Sequence, residues 1–241
     1  MVAPTTHEVR STGVFYKGIT LDMRSPQRTA DALTYTPGTT VVADGLDEDP
    51  GTDCGAGINF SRTVAEALRW GPMVVELRVP ASECIIDTGR KLRARRVEVV
   101  KKVDLAPANL ADANLASANL ADANLASAYL AGANLAHANL ADANLAHANL
   151  ADANLASAYL AGANLAHANL ADANLAGAYL GGAYLAPANL ASAYLGGANL
   201  ASANLASANL ARANLAGANG KPATGMPSGW ALTDSQRWCR A

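Results

Sequence analysis

Apolar residues recur at one fixed spacing through the second half of the chain. From Leu105 to Leu215 a leucine stands at every fifth position, which makes 23 leucines, and alanine stands two residues before almost every one. The residue between them is Asn, or Tyr in five repeats, and the residue after Leu is Ala or Gly. The fifth position varies. This pattern predicts one local structure that repeats over residues 105–219.

A period of five fits neither an α-helix nor a flat strand. Ala and Leu favour a helix by propensity, but five residues advance a helix by about 500°, so no apolar face would persist. In a flat strand, successive leucines would alternate between faces because five is odd. A chain that turns a corner of about 90° in every repeat keeps both Ala and Leu pointing inward.

Four such repeats close one coil of 20 residues, and coils stack at the strand spacing of about 4.8 Å. The sequence therefore predicts a mainly β fold, a four-sided solenoid of nearly six coils and about 28 Å in length. Its core is expected to be the leucine column, represented by Leu105, Leu110, Leu115, Leu120, Leu160, Leu180 and Leu215.

The run ANLADANLASANLADANLASAYLAGANLAH resembles the pentapeptide-repeat family, whose pattern is A-(N/D)-L-x-x. The resemblance covers residues 103–219 and implies a right-handed quadrilateral β-helix. It also implies that the residues before and after the inward pair face solvent. The chain departs from many members in having no Phe at the centre position and no loop between coils.

Residues 20 positions apart are expected to stack in one column on the outside. His147 and His167 should lie about 5 Å apart, but a metal site needs more ligands than this pair, so we interpret them as solvated. Tyr159 and Tyr179 also share a side, where a cross-strand ladder is favoured and a protein interface is the alternative. The Asn column is expected to satisfy backbone groups at the corners, because Asn readily bonds its own backbone.

The chain changes character after Ala218, and residues 220–241 are predicted to form a capping hairpin. Open solenoid ends must be covered, and Trp230 and Trp238 are expected to cover Leu210 and Leu215. A dimer contact through this end is the alternative.

Residues 1–104 have an ordinary composition and predict a small α+β domain that caps the other end. Strands are predicted over 14–19, 73–79 and 93–103, and a helix over 61–70 with Ser61 as its N-cap. The layout FYKGI, DCGAGINFSRTVAEALRW, VVELRVP and KLRARRVEVVKKV resembles an uncharacterised domain that precedes pentapeptide repeats in phage and bacterial proteins.

Two features of this head domain bear on chemistry. Arg93, Arg95 and Arg96 lie in the densest run of charge, where the alternation favours a solvated strand face over an anion site. Residues 57–61 faintly resemble ADP-ribosyltransferase folds, but Asn59 stands where such enzymes usually have Tyr, and no convincing catalytic Glu follows. The resemblance implies at most a degenerate transferase-like domain.

Composition narrows the classes of function. With 18 basic and 20 acidic residues, the net charge of −2 favours neither direct nucleic-acid binding nor an acidic tail. Polar residues interrupt every apolar run, so no segment reaches the roughly 18 residues of a membrane span, and no signal peptide is evident. Three scattered cysteines indicate neither a disulfide framework nor a zinc site. These observations predict a cytoplasmic or virion-associated protein.

The repeats contain no nucleophile–base pair, phosphate loop or carboxylate dyad, so we expect no enzyme, catalytic residue, cofactor or metal. The leading hypothesis is a non-enzymatic interaction or structural protein of phage-related origin, with an unidentified protein partner and self-association through the solenoid end. The alternative is a protein that imitates DNA and binds a type II topoisomerase such as gyrase. Candidate interaction residues are Tyr159, Tyr179, Asp152, Asp172, Arg93, Arg95 and Arg96.

Overall fold

A computed structural model gives the fold. It describes residues 14–19, 36–42, 58–68, 73–80, 86–87, 92–94, 96–225, 230–233 and 238–240. The chain divides into two compact units, Met1–Val103 and Asp104–Ala241, and each is described by itself.

The first unit contains two antiparallel sheets and a short helix. Its strands are β1 (Val14–Ile19), β2 (Thr40–Val42), β3 (Ile58–Phe60), β4 (Met73–Arg78), β5 (Ile86–Asp87), β6 (Leu92–Ala94) and β7 (Arg96–Lys102). One sheet has the order β1-β4-β7-β2 and the other β3-β6-β5. The strand predicted over 93–103 is therefore two strands, which belong to different sheets.

The helix α1 (Val64–Leu68) begins later than predicted, and residues 69–70 of the prediction lie outside the described residues. The Glu66 N–H donates to Thr63 Oγ1 at 3.2 Å, and the Glu66 carboxylate accepts from the Arg62 N–H at 3.1 Å. This reciprocal arrangement is typical of a helix N-terminus. Thr63 is thus the N-cap, and the prediction of Ser61 was wrong: Ser61 is buried and 5% exposed, in a β-bridge before the helix.

The second unit is built from parallel coils whose period is 20 residues. Each centre residue forms a parallel bridge with the residue 20 positions on, from Asn109↔Tyr129 to Asn204↔Thr224. On most sides from Ala108 onward, three backbone hydrogen bonds join a coil to the next coil. In the first coil the Leu110 N–H donates to the Tyr129 carbonyl, the Asp112 N–H donates to the Ala131 carbonyl, and the Ala108 carbonyl accepts from the Tyr129 N–H, at 2.7 to 2.9 Å.

The leucine column forms the core of this unit. Every repeat leucine from Leu115 to Leu200 is fully buried, and Leu105 and Leu110 are 5% and 4% exposed. Full burial of such a side chain stabilises the fold by about 1.5–3 kcal/mol. Because one leucine is contributed by each side of each coil, the core is continuous along the repeats.

The corners are tight turns with a left-handed residue at the fifth repeat position. The Leu carbonyl accepts from the Ala three residues on, for example Ala158 N–H to Leu155 O at 3.0 Å. The fifth-position residue has positive φ, such as 56° at Ser157 and 60° at His147, as the third residue of a type II turn requires. Left-handed backbone is costly for ordinary residues and cheapest for Gly, Asn and Asp, which accounts for the many Asp and Gly residues here.

A hairpin lies against the end of the last coil. Its strands β8 (Trp230–Leu232) and β9 (Trp238–Arg240) pair antiparallel. Trp238 is 3% exposed, and its Nε1–H donates to the Gly220 carbonyl at 3.0 Å. Leu215 is fully buried. The expectation that Leu210 is covered as well was wrong, because Leu210 keeps an intermediate exposure.

Candidate interaction surfaces

Asparagine side chains form hydrogen-bonded ladders on the outside of the solenoid. From Asn109 to Asn214, each Asn Oδ1 accepts the N–H of the residue two positions on, as Asn169 does from Ala171 at 3.3 Å. Nδ2 then donates to the Asn in the preceding coil: Asn169 to Asn149 at 3.1 Å, and Asn189 to Asn169 at 3.0 Å. These amides satisfy the corners, so they are mainly structural.

Tyrosines replace Asn at five centre positions and interrupt these ladders. All five rings are exposed, by 41% to 48%. A Cβ at Gly181 would lie 3.2 Å from the Tyr179 ring, and one at Gly196 would lie 2.8 Å from the Tyr194 ring. Each of these rings therefore lies over the corner that follows it, where a glycine makes room.

Tyr159 and Tyr179 form the only stacked tyrosine pair in the described part of the chain. Their ring centroids are 5.0 Å apart and their planes differ by 3°. The rings are 47% and 41% exposed, so the pair is both a ladder and an aromatic patch open to solvent. Tyr129, Tyr184 and Tyr194 belong to other columns, each without a stacked tyrosine neighbour among the described residues.

The two histidines of one corner column also stack. The rings of His147 and His167 lie 4.7 Å apart with an interplanar angle of 4°. Within the described ranges, no cluster of three or more His, Cys, Asp or Glu side chains could hold a metal ion. The geometry therefore offers a pair of imidazoles without further ligands.

Acidic residues of the repeats are confined to two corner columns. Asp152 and Asp172 are exposed neighbours in the column that ends at Arg212, and Asp122 and Asp142 share another. The charges therefore lie on two corners, separated by neutral corners of Ser, Gly, His and Pro.

Arg93 and Arg96, two of the basic candidate residues, lie in different strands of the first unit. Arg93 lies in β6 and Arg96 starts β7, but their side chains and all of Arg95 lie outside the described residues, so the choice between a solvated face and an anion site stays open. Glu76 and Glu98 follow the segment that resembles transferase folds, and they lie in β4 and β7. In register Glu76 is opposite Lys101 and Glu98 is opposite Arg78, a placement of opposite charges that sheets favour for stability alone.

Sequence reasoning missed a cavity at the C-terminal end of the solenoid. Its volume is about 470 Å³, and its lining includes Arg212 and Asn214 of the last coil together with Trp230 and Trp238 of the hairpin. The two indoles meet edge to face, with centroids 6.4 Å apart. The available signal was Arg212, because it is the one basic residue between Leu105 and Leu215.

The repeat region matches a family model described as pentapeptide repeats, with eight copies over residues 108–145, 148–185 and 183–219. Residues 108–219 are pentapeptide repeats. The predicted resemblance is confirmed, and the four-sided coils are the right-handed quadrilateral β-helix of that family.

Solved pentapeptide-repeat structures are similar over part of the chain. HetL, involved in heterocyst differentiation regulation in the cyanobacterium Nostoc, is 37% identical, with 50% of this chain and 61% of HetL covered and a TM-score of 0.36. A protein of the Arabidopsis thaliana thylakoid lumen is 27% identical over 41% of this chain and 69% of its own, with a TM-score of 0.40. QnrB1, a plasmid-mediated fluoroquinolone resistance protein, is 14% identical over 46% of this chain and 71% of its own, with a TM-score of 0.27.

This pentapeptide-repeat chain thus spans less than two thirds of HetL. No curated protein matches the chain. The helices among the described residues include none long and apolar enough to cross a membrane.

Proposed function

We propose that this pentapeptide-repeat protein is a non-enzymatic interaction protein whose solenoid presents a rigid docking side to a protein partner. The observation that carries the proposal is the Tyr159–Tyr179 stack, two exposed aromatic rings in a column whose other centre residues are Asn. Tyrosine supplies large contact area at low entropic cost and is enriched at interfaces. The stack is anchored on a continuous buried core, so little order is lost when a partner binds.

Tyr→Asn substitutions test this surface without disturbing the fold, because Asn is the common residue at the same position. A photo-crosslinking residue placed at 157, beside Tyr159, would capture the partner in cells. We expect Tyr159→Asn/Tyr179→Asn to abolish the crosslinked product. The matched control is Tyr184→Asn, which removes a ring of 46% exposure from another side and should leave the product unchanged. Equal capture of the partner by the unsubstituted protein, the double variant and the Tyr184→Asn control would overturn the proposal.

Imitation of DNA for a topoisomerase is a second candidate, and the charge density counts against it. Between Leu105 and Leu215 five aspartates stand against one arginine, a net charge of −4. Duplex DNA carries one negative charge per about 1.7 Å of axis, hence roughly 16 over the ~28 Å of the repeats. So weak a field gives little steering toward a basic DNA-binding surface. Asp152 and Asp172 would have to carry much of any such contact.

The head domain is proposed to contribute a second contact rather than catalysis. Ser61, the last residue of the segment that resembles transferase folds, is buried and 5% exposed. Glu76 and Glu98 each lie in register with a basic residue of the neighbouring strand. A degenerate transferase-like domain therefore remains the weaker alternative.

A further inference from the structure

The last coil of the solenoid has an open edge on two of its sides, residues 208–212 and 213–217. Every earlier side from Ala108 onward is joined to the next coil by backbone hydrogen bonds. On these two sides, no described residue bonds the edge groups, which are the N–H groups of Leu210, Arg212, Leu215 and Gly217 and the carbonyls of Ala208 and Ala213. An edge with free donors and acceptors is a template for a further strand.

The other two sides of the same coil are covered. The Leu205 N–H donates to the Thr224 carbonyl at 3.0 Å, and the Ala203 carbonyl accepts from the Ala223 N–H at 2.8 Å. Ala218 is bonded by Trp238. Among the residues the structure describes, the chain thus continues the solenoid over half of its end.

The cavity at this end adjoins the open edge. Arg212, Ala213, Asn214, Ala216 and Gly217 line one wall, and the two tryptophans line the other. Trp238 is held by hydrogen bonds from both its backbone N–H and its Nε1–H, so this wall is formed in advance. Leu210 beside it keeps an intermediate exposure. A strand that followed the edge would enter the cavity and cover Leu210.

We propose that this groove binds an extended, acidic peptide segment of a protein partner, which adds a parallel strand to the last coil. The backbone groups of the edge supply affinity by strand addition, and the apolar groove accepts alternate side chains. This surface lies at the end of the solenoid and is independent of the Tyr159–Tyr179 side.

Charge complementarity at Arg212 sets the acidic requirement. Arg212 occupies the corner column that also contains Asp112, Asp152 and Asp172, and it is exposed. A peptide residue in the next position of that column would lie about 4.8 Å from it along the solenoid axis. A carboxylate there forms a charge-assisted bond with the guanidinium, whereas a cation is repelled.

The chain itself contains a segment in the required register. Residues 148–157, ANLADANLAS, lie on the same two sides as residues 208–217, and Asp152 falls in the column of Arg212. A fluorescein-labelled peptide of this sequence is therefore the probe, and fluorescence anisotropy with the full chain measures its binding. One control peptide carries Lys in place of Asp. The other carries a methyl group on the backbone nitrogen of each Asn, which removes the N–H donors for the carbonyls of Ala208 and Ala213.

We expect saturable binding of the probe, loss of binding on N-methylation, and binding of the Lys peptide that is weaker by about tenfold. Arg212→Glu should reverse the preference between the Asp and Lys peptides. Arg212→Ser should abolish the preference between the two peptides. Serine is tolerated in this column, because Ser192 occupies the preceding position. Tyr159→Asn/Tyr179→Asn should bind the probe normally, which separates this test from that of the side surface.

Failure of the probe to bind the full chain would overturn the proposal. Equal binding of the N-methylated peptide would also overturn it, because the edge would then not be used. Unchanged preference in both Arg212 variants, each with a native circular dichroism spectrum, would place the peptide elsewhere and would count against it equally.

Discussion

The backbone N–H of Trp238 donates to the carbonyl of Ala218 at 2.8 Å. Within the repeats the same carbonyl position accepts from the centre residue of the next coil, as Ala118 does from Asn139. Trp238 therefore stands in for a missing coil residue, and the hairpin continues the solenoid on one side of its end.

Removal of residues 221–241 should expose the last coil and lower stability. Trp→Ala changes in packed sites cost about 3–5 kcal/mol, so Trp238→Ala should be strongly destabilising in urea unfolding. Trp230→Ala, at a half-buried position, should cost less. The truncated chain should associate end to end in analytical ultracentrifugation, because its edge and leucines lie open. A truncated protein that stays monomeric and equally stable would show that the hairpin is no cap.

Leu160 and Ser157 test the inward and outward assignment. Leu160 is fully buried, and Leu160→Asp would bury a charge without a partner at a cost of several kcal/mol. Ser157 is exposed in a corner where Asp is common, so Ser157→Asp should change stability by about 0.5 kcal/mol or less. Urea denaturation followed by circular dichroism measures both, and similar effects from the two would refute the assignment.

Asn169 and Asn114 both accept a hydrogen bond at their own corner, but Asn169 also bonds the Asn side chains of the adjacent coils. Asn169 bonds Asn149 and Asn189 as well as its own corner, whereas Asn114 accepts from the Ala116 N–H at its corner. At about 0.5–1.5 kcal/mol per net hydrogen bond, Asn169→Ala should lower the free energy of unfolding more than Asn114→Ala. Equal losses in chemical denaturation would mean that the ladders contribute nothing.

Gyrase should be insensitive to this protein at submicromolar concentration, because the repeats carry too little negative charge. A supercoiling assay with purified gyrase measures this. Inhibition that Asp152→Asn/Asp172→Asn abolishes would contradict our ranking and favour the DNA-mimic alternative.

The sequence was sufficient for the features that repeat. Leucine spacing predicted the coil length, because only a corner in every repeat keeps each leucine inside. The role of Asn at the corners followed from its short side-chain amide, which readily bonds nearby backbone. The left-handed fifth position was not predicted, because periodicity places a corner without specifying its φ. The columns of Asp, Ser and Gly carried that information, since these residues suit tight turns.

Features that do not repeat were harder to predict. Ser61 and Thr63 are both suitable N-caps, and the contact with Glu66 decides between them. The intermediate exposure of Leu210 is a property of the end of the solenoid, which the repeat pattern does not encode. The cavity at Arg212 lies between the last coil and two tryptophans outside the repeats, and it was missed for the same reason.

The most direct test of the coil is a disulfide between residues one coil apart. In a chain with Cys54, Cys84 and Cys239 replaced by Ser, Ser157→Cys/Gly177→Cys places two thiols in one column, where a Cβ at Gly177 would lie 3.6 Å from the Ser157 hydroxyl. The control, Ser157→Cys/His167→Cys, places them in different columns. Mild oxidation followed by mass spectrometry should give an intramolecular disulfide in the first protein and free thiols in the second. A helix would separate residues 157 and 177 by about 30 Å. Failure of the 157–177 pair to form, or equal formation of the 157–167 pair, would contradict the four-sided solenoid.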